Sequence, residues 1–326
     1  MAFSVRRLHA TRVEADPCLS LTAGEIIETA RALEIPETFS TSSRYSFTSI
    51  EAFALTLARF AHGEDQYSLA NRYRRPQSAI SEAINFVVTL VNMKWHHLLD
   101  FDDKFLLSPS NLTRYADAVH RAGAPARGVW GFIDCTIRRI CRPKNFQEEA
   151  YNGYKKYHAL KYQGVMLPCG IIANLYGPLE GRRNDNQLLA DSHILDHCAQ
   201  KAFRNGTSDS DPIEWRCLQL YGDPAYGLDR HIMCPYSGVD KNVPENARWN
   251  SNMSKVRMAV EHAFGLVSSL WHFVDEHGKM QLFSSPVGHY YRFAVLMTNI
   301  VNCYRPNPVA QRFCCNPPSL QEYLHH

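Results

Sequence analysis

The chain lacks an apolar run of 18 residues, and no apolar signal segment stands at its start. A membrane-spanning helix needs about 20 mostly apolar residues, so we expect no membrane association. Without a signal segment we expect no secretion either. The sequence therefore predicts a nuclear location, with the cytoplasm as the alternative.

Two kinds of short motif are also absent. In a nuclear or cytosolic protein we expect its ten cysteines to be mostly reduced thiols. No two of them form a Cys-x-x-Cys pair, which argues against a structural zinc site. No glycine-rich phosphate loop of the P-loop type occurs, which argues against chemistry driven by a nucleoside triphosphate. The net charge is only +3, so affinity for nucleic acid must come from local basic patches.

Two aspartates follow predicted strands. Asp134 ends the apolar run 129–133, a pattern typical of a buried strand with a polar side chain at its tip. Asp223 follows residues 215–221, which alternate polar and apolar side chains before a break at Gly222. We expect both carboxylates at the edge of one sheet.

A third carboxylate, Glu261, lies in a predicted helix with apolar residues at helical spacing: Val256, Val260, Phe264, Val267 and Trp271. Packing of that stripe on a sheet would direct Glu261 toward the two aspartates. Three converging carboxylates would suit Mg²⁺, and paired ions of this kind cleave phosphodiesters. The alternative is that they are ordinary surface acids or ion-pair partners, as most of the 32 acidic residues should be.

Five ordered blocks carry a family resemblance: residues 131–136, 151–163, 181–185, 222–226 and 260–265. In order and spacing they resemble the DDE domain of PIF/Harbinger transposases over residues 128–304. The resemblance implies a ribonuclease-H-like core with Asp134, Asp223 and Glu261 as catalytic metal ligands. It also implies a divalent ion, Mg²⁺ or Mn²⁺, and the cutting of DNA ends followed by joining of the 3′-hydroxyl to target DNA.

The chain departs from that family pattern at two places. Cys135 follows the first aspartate, where the family commonly has glycine, and Asn184 and Asn186 flank Asp185, where the family has His-Asp-Ser. Asp185 is either an auxiliary metal ligand or an N-cap of the amphipathic run that follows it, and we favour the cap.

The predicted fold class is α/β, with a ribonuclease-H-like mixed sheet flanked by helices and preceded by a small all-α domain. Residues 158–176 predict a β-hairpin, 186–203 a helix, 234–252 a polar insert and 291–304 a last helix. We expect an extension over 1–45, a helical domain over 46–127, the catalytic domain over 128–304 and a poorly ordered tail over 305–326.

The segment 138–156 combines tyrosines with cations, which supply phosphate contacts while aromatic rings stack on bases. Its predicted DNA contacts are Arg138, Arg139, Arg142, Lys155 and Lys156. An ordinary basic surface loop is the alternative. Arg182 and Arg183 are predicted phosphate contacts too, and a solvated loop explains them equally well.

A second predicted DNA-binding unit lies in the N-terminal third. Residues 51–61 predict an amphipathic helix, and 68–73 and 74–84 predict two helices around a tight turn. In this helix-turn-helix-like pattern Gln77, Ser78 and Ser81 would face the major groove. A helical bundle with these polar residues merely solvated is the alternative.

These patterns together predict a metal-dependent DNA endonuclease or transposase that cleaves phosphodiester bonds by a two-metal DDE mechanism. The alternative is a domesticated or inactive derivative that binds DNA or protein without cutting. The resemblance further implies a Myb-like DNA-binding partner protein, and self-association into a homo-oligomer is left open.

Overall fold

The computed structural model describes residues 20–63 and 65–325, without the side chains of residues 259–262. Contacts divide these residues into two units. The first contains the described residues up to His96, together with Arg139–Pro143 and Val267–Val301. The second contains His97–Arg138, Lys144–Leu266 and the described residues from Asn302 onward. The units therefore do not follow the sequence-based divisions at residues 45, 127 and 304.

The first unit is mainly helical. Its elements before His96 are α1 (Ala23–Ala32), β1 (Thr38–Ser40), β2 (Ser46–Thr48), α2 (Ser49–His62), α3 (Gln66–Tyr73) and α4 (Gln77–Trp95). A capping box between Thr22 and Glu25 starts α1, and Gly63, with φ +60°, ends α2. The antiparallel β1–β2 hairpin crosses the predicted boundary at residue 45, since β1 lies in the extension 1–45 and β2 in the domain predicted to be all-α. Residues 1–19 of the extension are outside the described part.

The helices around the predicted turn are present. Helix α3 ends at Arg74, which has a left-handed backbone, and α4 starts after Pro76. The preceding helix α2 differs from its prediction, because residues 51–61 are buried on all sides instead of on one face. Glu51 is tolerated there since Arg75 donates to both of its carboxylate oxygens at 2.8 Å.

The second unit contains the larger sheet. Its strands are β3 (Val129–Arg139), β4 (Tyr151–Asn152), β5 (Tyr157–Met166), β6 (Ile172–Glu180), β7 (Gln219–Tyr221) and β8 (Ile232–Met233). The α-helices described after residue 96 are α5 (Pro109–Arg121), α6 (Gln147–Ala150), α7 (Asp185–Asp191), α8 (Ile194–Lys201), α9 (Ile213–Arg216), α10 (Pro244–Leu270), α11 (Val287–Tyr304), α12 (Pro308–Phe313) and α13 (Leu320–Leu324). The last residues of β3 and α10 and most of α11 belong to the first unit.

The sheet is mixed, as predicted. Its order is β4-β5-β3-β7-β8, and β6 also pairs with β5. The β5–β6 pair is the predicted hairpin and is antiparallel, whereas β3, β7 and β8 run parallel. The order of strands and helices along the chain agrees with a ribonuclease-H-like domain, and the α/β fold class is confirmed.

Three predicted boundaries are wrong. Strand β3 does not end at Asp134 but continues to Arg139, because only its burial, not its strand conformation, changes at the acid. The predicted helix 186–203 is two helices, α7 and α8, separated at His193, whose φ of +52° is left-handed. The predicted polar insert becomes helical at Pro244, a residue favoured at the first helical position.

The predicted disorder of the tail 305–326 is also wrong. Helices α12 and α13 bury Phe313, Tyr323 and Leu324. Asn307 starts α12 by accepting hydrogen bonds from two backbone amides, and its side chain donates to the Gly170 carbonyl at 3.0 Å. Composition alone did not predict this packing, because Asn307 and Ser319, which are typical of loops, are here the N-caps of the two helices. None of the helices in the described part of the chain has both the length and the hydrophobicity of a membrane span.

We expect Phe313→Ala to lower the free energy of unfolding by about 3 kcal/mol, since it removes a buried ring. The Phe313 ring is 3% exposed and lies 5.9 Å from that of Phe132 in β3. Chemical denaturation followed by circular dichroism measures the loss. Leu228→Ala is the control, because that side chain is 82% exposed. Equal stabilities of the two variants would contradict the packing of the tail.

Candidate active site

Parallel pairing of β3 with β7 places two aspartates side by side. The register matches Phe132 with Tyr221, and each aspartate, Asp134 and Asp223, lies two residues beyond its member of that pair. Neighbouring strands are about 4.8 Å apart and side chains alternate between faces, so residues two positions on share one face. Asp134 is in the middle of its strand, whereas Asp223 follows the end of β7 as predicted.

The turn after β7 fixes Asp223. Its side chain accepts a hydrogen bond from the Ala225 amide at 2.9 Å and caps the short 3₁₀ helix Pro224–Tyr226. Gly222, just before it, packs tightly: a Cβ there would lie 2.7 Å from the Tyr226 ring and 3.0 Å from Ile133. A larger residue at this position would therefore force the Tyr226 ring or the strand to move.

One arginine joins the two aspartates. Nη2 of Arg257, in α10, lies 3.2 Å from Oδ2 of Asp134 and 3.8 Å from Oδ2 of Asp223. The three side chains are 19%, 23% and 41% exposed, respectively. Glu261 is one helical turn after Arg257 in the same helix, as predicted, but its side chain is among those outside the described part.

Burial raises the pKa of the Asp134 carboxyl above its usual value. Arg257 opposes this rise by attracting the charged form, as does the hydrogen bond from the Cys135 amide. The negative charges of Asp223 and Asp185 raise that pKa further. The site is therefore a cluster of mutually repelling carboxylates that need positive charge nearby.

Asp185 belongs to this cluster and is not the N-cap. The cap of α7 is Asn184, which forms a capping box with Gln187. Asp185 is the first helical residue and forms an ion pair with Lys161, whose Nζ also donates to the Arg183 carbonyl at 2.9 Å. Its role as an auxiliary metal ligand stays a prediction.

Cys135 and Tyr226 lie beside the carboxylate cluster. Cys135 Sγ lies 3.2 Å from the Tyr226 hydroxyl. Burial raises the pKa of both groups, so both are neutral at physiological pH. A neutral, poorly hydrated wall beside the acids lowers the local dielectric and strengthens their interaction with any cation.

The family model for the DDE superfamily endonuclease matches residues 133–299. The chain belongs to this family. No curated protein and no solved structure matches the chain. The narrower resemblance to PIF/Harbinger transposases stays a prediction.

The donor set of this DDE endonuclease domain suits a hard divalent cation. Asp134 and Asp223 present carboxylate oxygens at the same level of the sheet, and the geometry gathers them around one positive group. Oxygen ligands of this kind are the ones that Mg²⁺ and Mn²⁺ bind. Among the described side chains, which do not include Glu261, no group of three or more His, Cys, Asp or Glu could hold a metal ion.

Arg182 and Arg183 are not simply solvated. Arg183 contacts Glu180 at 2.9 Å and Asp191 at 3.0 Å, and Arg182 contacts Glu148 at 3.3 Å. Both arginines line a cavity of about 580 Å³ that also contains Glu149 and Glu180. This mixed charge makes the cavity a weaker anion site than the two adjacent arginines suggest.

The predicted DNA-contacting segment 138–156 is divided between the units. Arg139 and Arg142 are exposed in the first unit, while Lys155 and Lys156 are exposed in the second. Tyr154, beside them, is 88% exposed, and the Lys155 ammonium lies 5.4 Å from the centre of its ring. Arg138 is half-buried and donates to Thr136 Oγ1 at 3.0 Å.

Part of the predicted DNA-contacting surface of the helix-turn-helix-like segment is exposed to solvent. Gln77 and Ser78 are exposed at the start of α4, and Ser81 is half-buried one turn later. Gln77 lies within 3.4 Å of the Gln66 side chain, a contact between α4 and α3. Whether these residues touch DNA stays a prediction.

Sequence reasoning missed Lys161 and Tyr226 as members of the site. Lys161 lies in the mostly buried strand β5, and its side chain is only 8% exposed. A lysine within a predicted buried strand is a signal that an acid must lie nearby, because an unpaired buried ammonium is costly. Tyr226 gave no such signal, since buried tyrosines are common.

We expect Lys161→Met to lower the free energy of unfolding by about 2 kcal/mol, because it leaves Asp185 uncompensated beside Asp134. Adding Asp185→Asn should recover at least half of that loss. Urea denaturation of the wild type, both single variants and the double variant measures the coupling. Strictly additive losses would show that the ion pair has no role in stability.

Proposed function

We propose that this protein is a metal-dependent DNA endonuclease or transposase with Asp134, Asp223 and Glu261 as its catalytic residues. The observation that carries the proposal is the shared contact of Asp134 and Asp223 with Arg257 on adjacent parallel strands. It shows that two acids separated by 89 positions in the sequence are neighbours in space. Membership in the DDE endonuclease family implies DNA as the substrate.

A divalent ion, Mg²⁺ or Mn²⁺, would supply activation of the attacking hydroxyl and stabilisation of the leaving oxygen when bound. Asp134 and Asp223 would hold it, and Glu261 would complete the set from α10. Strand pairing holds both aspartates in fixed positions, so little ordering would be needed when the substrate binds. Tyr226 is buried and Cys135 is half-buried, so these two side chains would limit access of water to the aspartates.

DNA would be positioned by the exposed cations. Lys155 and Lys156 would contact phosphates, with Tyr154 stacking on an unpaired base. The start of α4, with Gln77, Ser78 and Ser81, would contact a second part of the DNA. We also propose a nuclear location and cooperation with a Myb-like DNA-binding protein.

We expect Asp134→Asn and Asp223→Asn each to reduce strand cleavage at least about a hundredfold, because each removes a ligand charge. Labelled linear DNA that carries the terminal sequences of the transposable element around the gene is incubated with Mg²⁺, Mn²⁺ or EDTA, with and without a Myb-like partner. Asp196→Asn is the control, as that carboxylate is 72% exposed and pairs only locally with His193. Binding without cleavage under every condition would support the domesticated binder instead.

We expect Lys155→Gln with Lys156→Gln to weaken DNA binding uniformly across sequences. The slope of log affinity against log salt should fall in magnitude by about two, because two phosphate contacts are lost. Fluorescence anisotropy at several salt concentrations measures this slope. Lys241→Gln is the matched control, because Lys241 is exposed in the short 3₁₀ helix Asp240–Asn242. An unchanged slope in the double variant would remove the two lysines from the interface.

A further inference from the structure

We propose that Arg257 is an internal counter-cation that balances Asp134 and Asp223 in the metal-free protein and competes with the divalent ion for them. This inference rests on the proposed function for the identity of the ion. It goes beyond that function because it gives Arg257 a role in determining how tightly the site binds the metal ion. The ion pairs described for Arg257 are those with these two carboxylates.

The position of the guanidinium supports this role. A single nitrogen, Nη2, approaches one oxygen of each aspartate, which places positive charge between β3 and the turn after β7. A cation bound by both carboxylates would need the same region. A guanidinium and a divalent ion repel each other there, so full binding of the ion requires Arg257 to weaken at least one of its contacts.

The two contacts are unequal in a way that suits displacement. The 3.2 Å contact to Asp134 is a hydrogen bond, whereas the 3.8 Å contact to Asp223 is an ion pair without one. Asp223 is also the more exposed of the two acids. Arg257 can therefore leave Asp223 at little cost and remain near Asp134.

The electrostatics of the metal-free site require such a cation. Asp134 is part-buried beside Asp223 and Asp185, and their repulsion disfavours three charged carboxylates. Lys161 is paired with Asp185 and so serves a different member of the cluster. Arg257 is thus the group that balances the pair Asp134 and Asp223 among the described side chains.

The test compares Arg257→Gln with wild type, using Mn²⁺ alone as the probe. In EDTA, we expect the melting temperature of Arg257→Gln to fall by about 3 °C, because two carboxylates lose their shared cation. In calorimetric titrations, the variant should bind Mn²⁺ at least about fivefold more tightly than wild type, since the competitor is gone. Its melting temperature should therefore rise more on adding Mn²⁺.

Two further variants separate charge from shape. Arg257→Lys keeps the charge and should bind Mn²⁺ within about twofold of wild type. Arg204→Gln is the matched control, since Arg204 pairs with Asp117 at 2.9 Å in the same unit, and it should leave Mn²⁺ affinity unchanged. If Arg257→Gln alone does not fold, the double variant with Asp223→Asn should, because the surplus negative charge is removed.

The outcomes distinguish this inference from the proposed function. Tighter Mn²⁺ binding by Arg257→Gln, or binding by that variant alone, supports the counter-cation. Equal or weaker Mn²⁺ binding by Arg257→Gln overturns it. A Mn²⁺ affinity of Arg257→Lys that differs from wild type by more than about twofold overturns it as well. In either case, metal-dependent cleavage by wild type would still support the proposed nuclease. If neither protein binds Mn²⁺ and wild type does not cleave, both proposals fail.

Discussion

The arrangement of the site depends on the parallel pairing of β3 with β7. Its register, Phe132 opposite Tyr221, puts Asp134 and Asp223 at one level and on one face of the sheet. A shift of one residue would turn the acid of one strand to the opposite face. Gly222 protects this arrangement, because the close approach of Tyr226 and Ile133 leaves no room for a larger residue.

Acids placed close together on a partly buried sheet repel one another, and cations from other elements compensate this repulsion. Arg257 comes from α10 and Lys161 from β5, so each carboxylate has a partner on a different segment of the chain. A cation from another segment also ties that segment to the sheet. The same contacts therefore compensate the charge of the acids and hold the acids in position. Removing a cation changes both.

Local patterns were enough to predict much of this fold. The hairpin of β5 and β6 and the place of Asp223 after β7 follow from alternation and breaks that involve few neighbouring residues. The continuation of β3 beyond Asp134 depends on pairing with strands distant in sequence, which periodicity does not reveal. Likewise, the break at His193 is a single left-handed residue within an otherwise helical pattern.

The candidate DNA-contacting residues differ in the ion pairs that they would lose on binding a phosphate. Surface ion pairs contribute at most about 1 kcal/mol, so Arg182, which has one exposed partner in Glu148, can exchange it for a phosphate. Arg183 would have to leave both Glu180 and Asp191, and two such contacts resist exchange more than one. Lys155 and Lys156 have exposed side chains on a turn with an exposed tyrosine, so phosphate binding there separates no described ion pair. Charge counting along the sequence treats these residues alike, whereas the structure ranks the two lysines first, Arg182 next and Arg183 last.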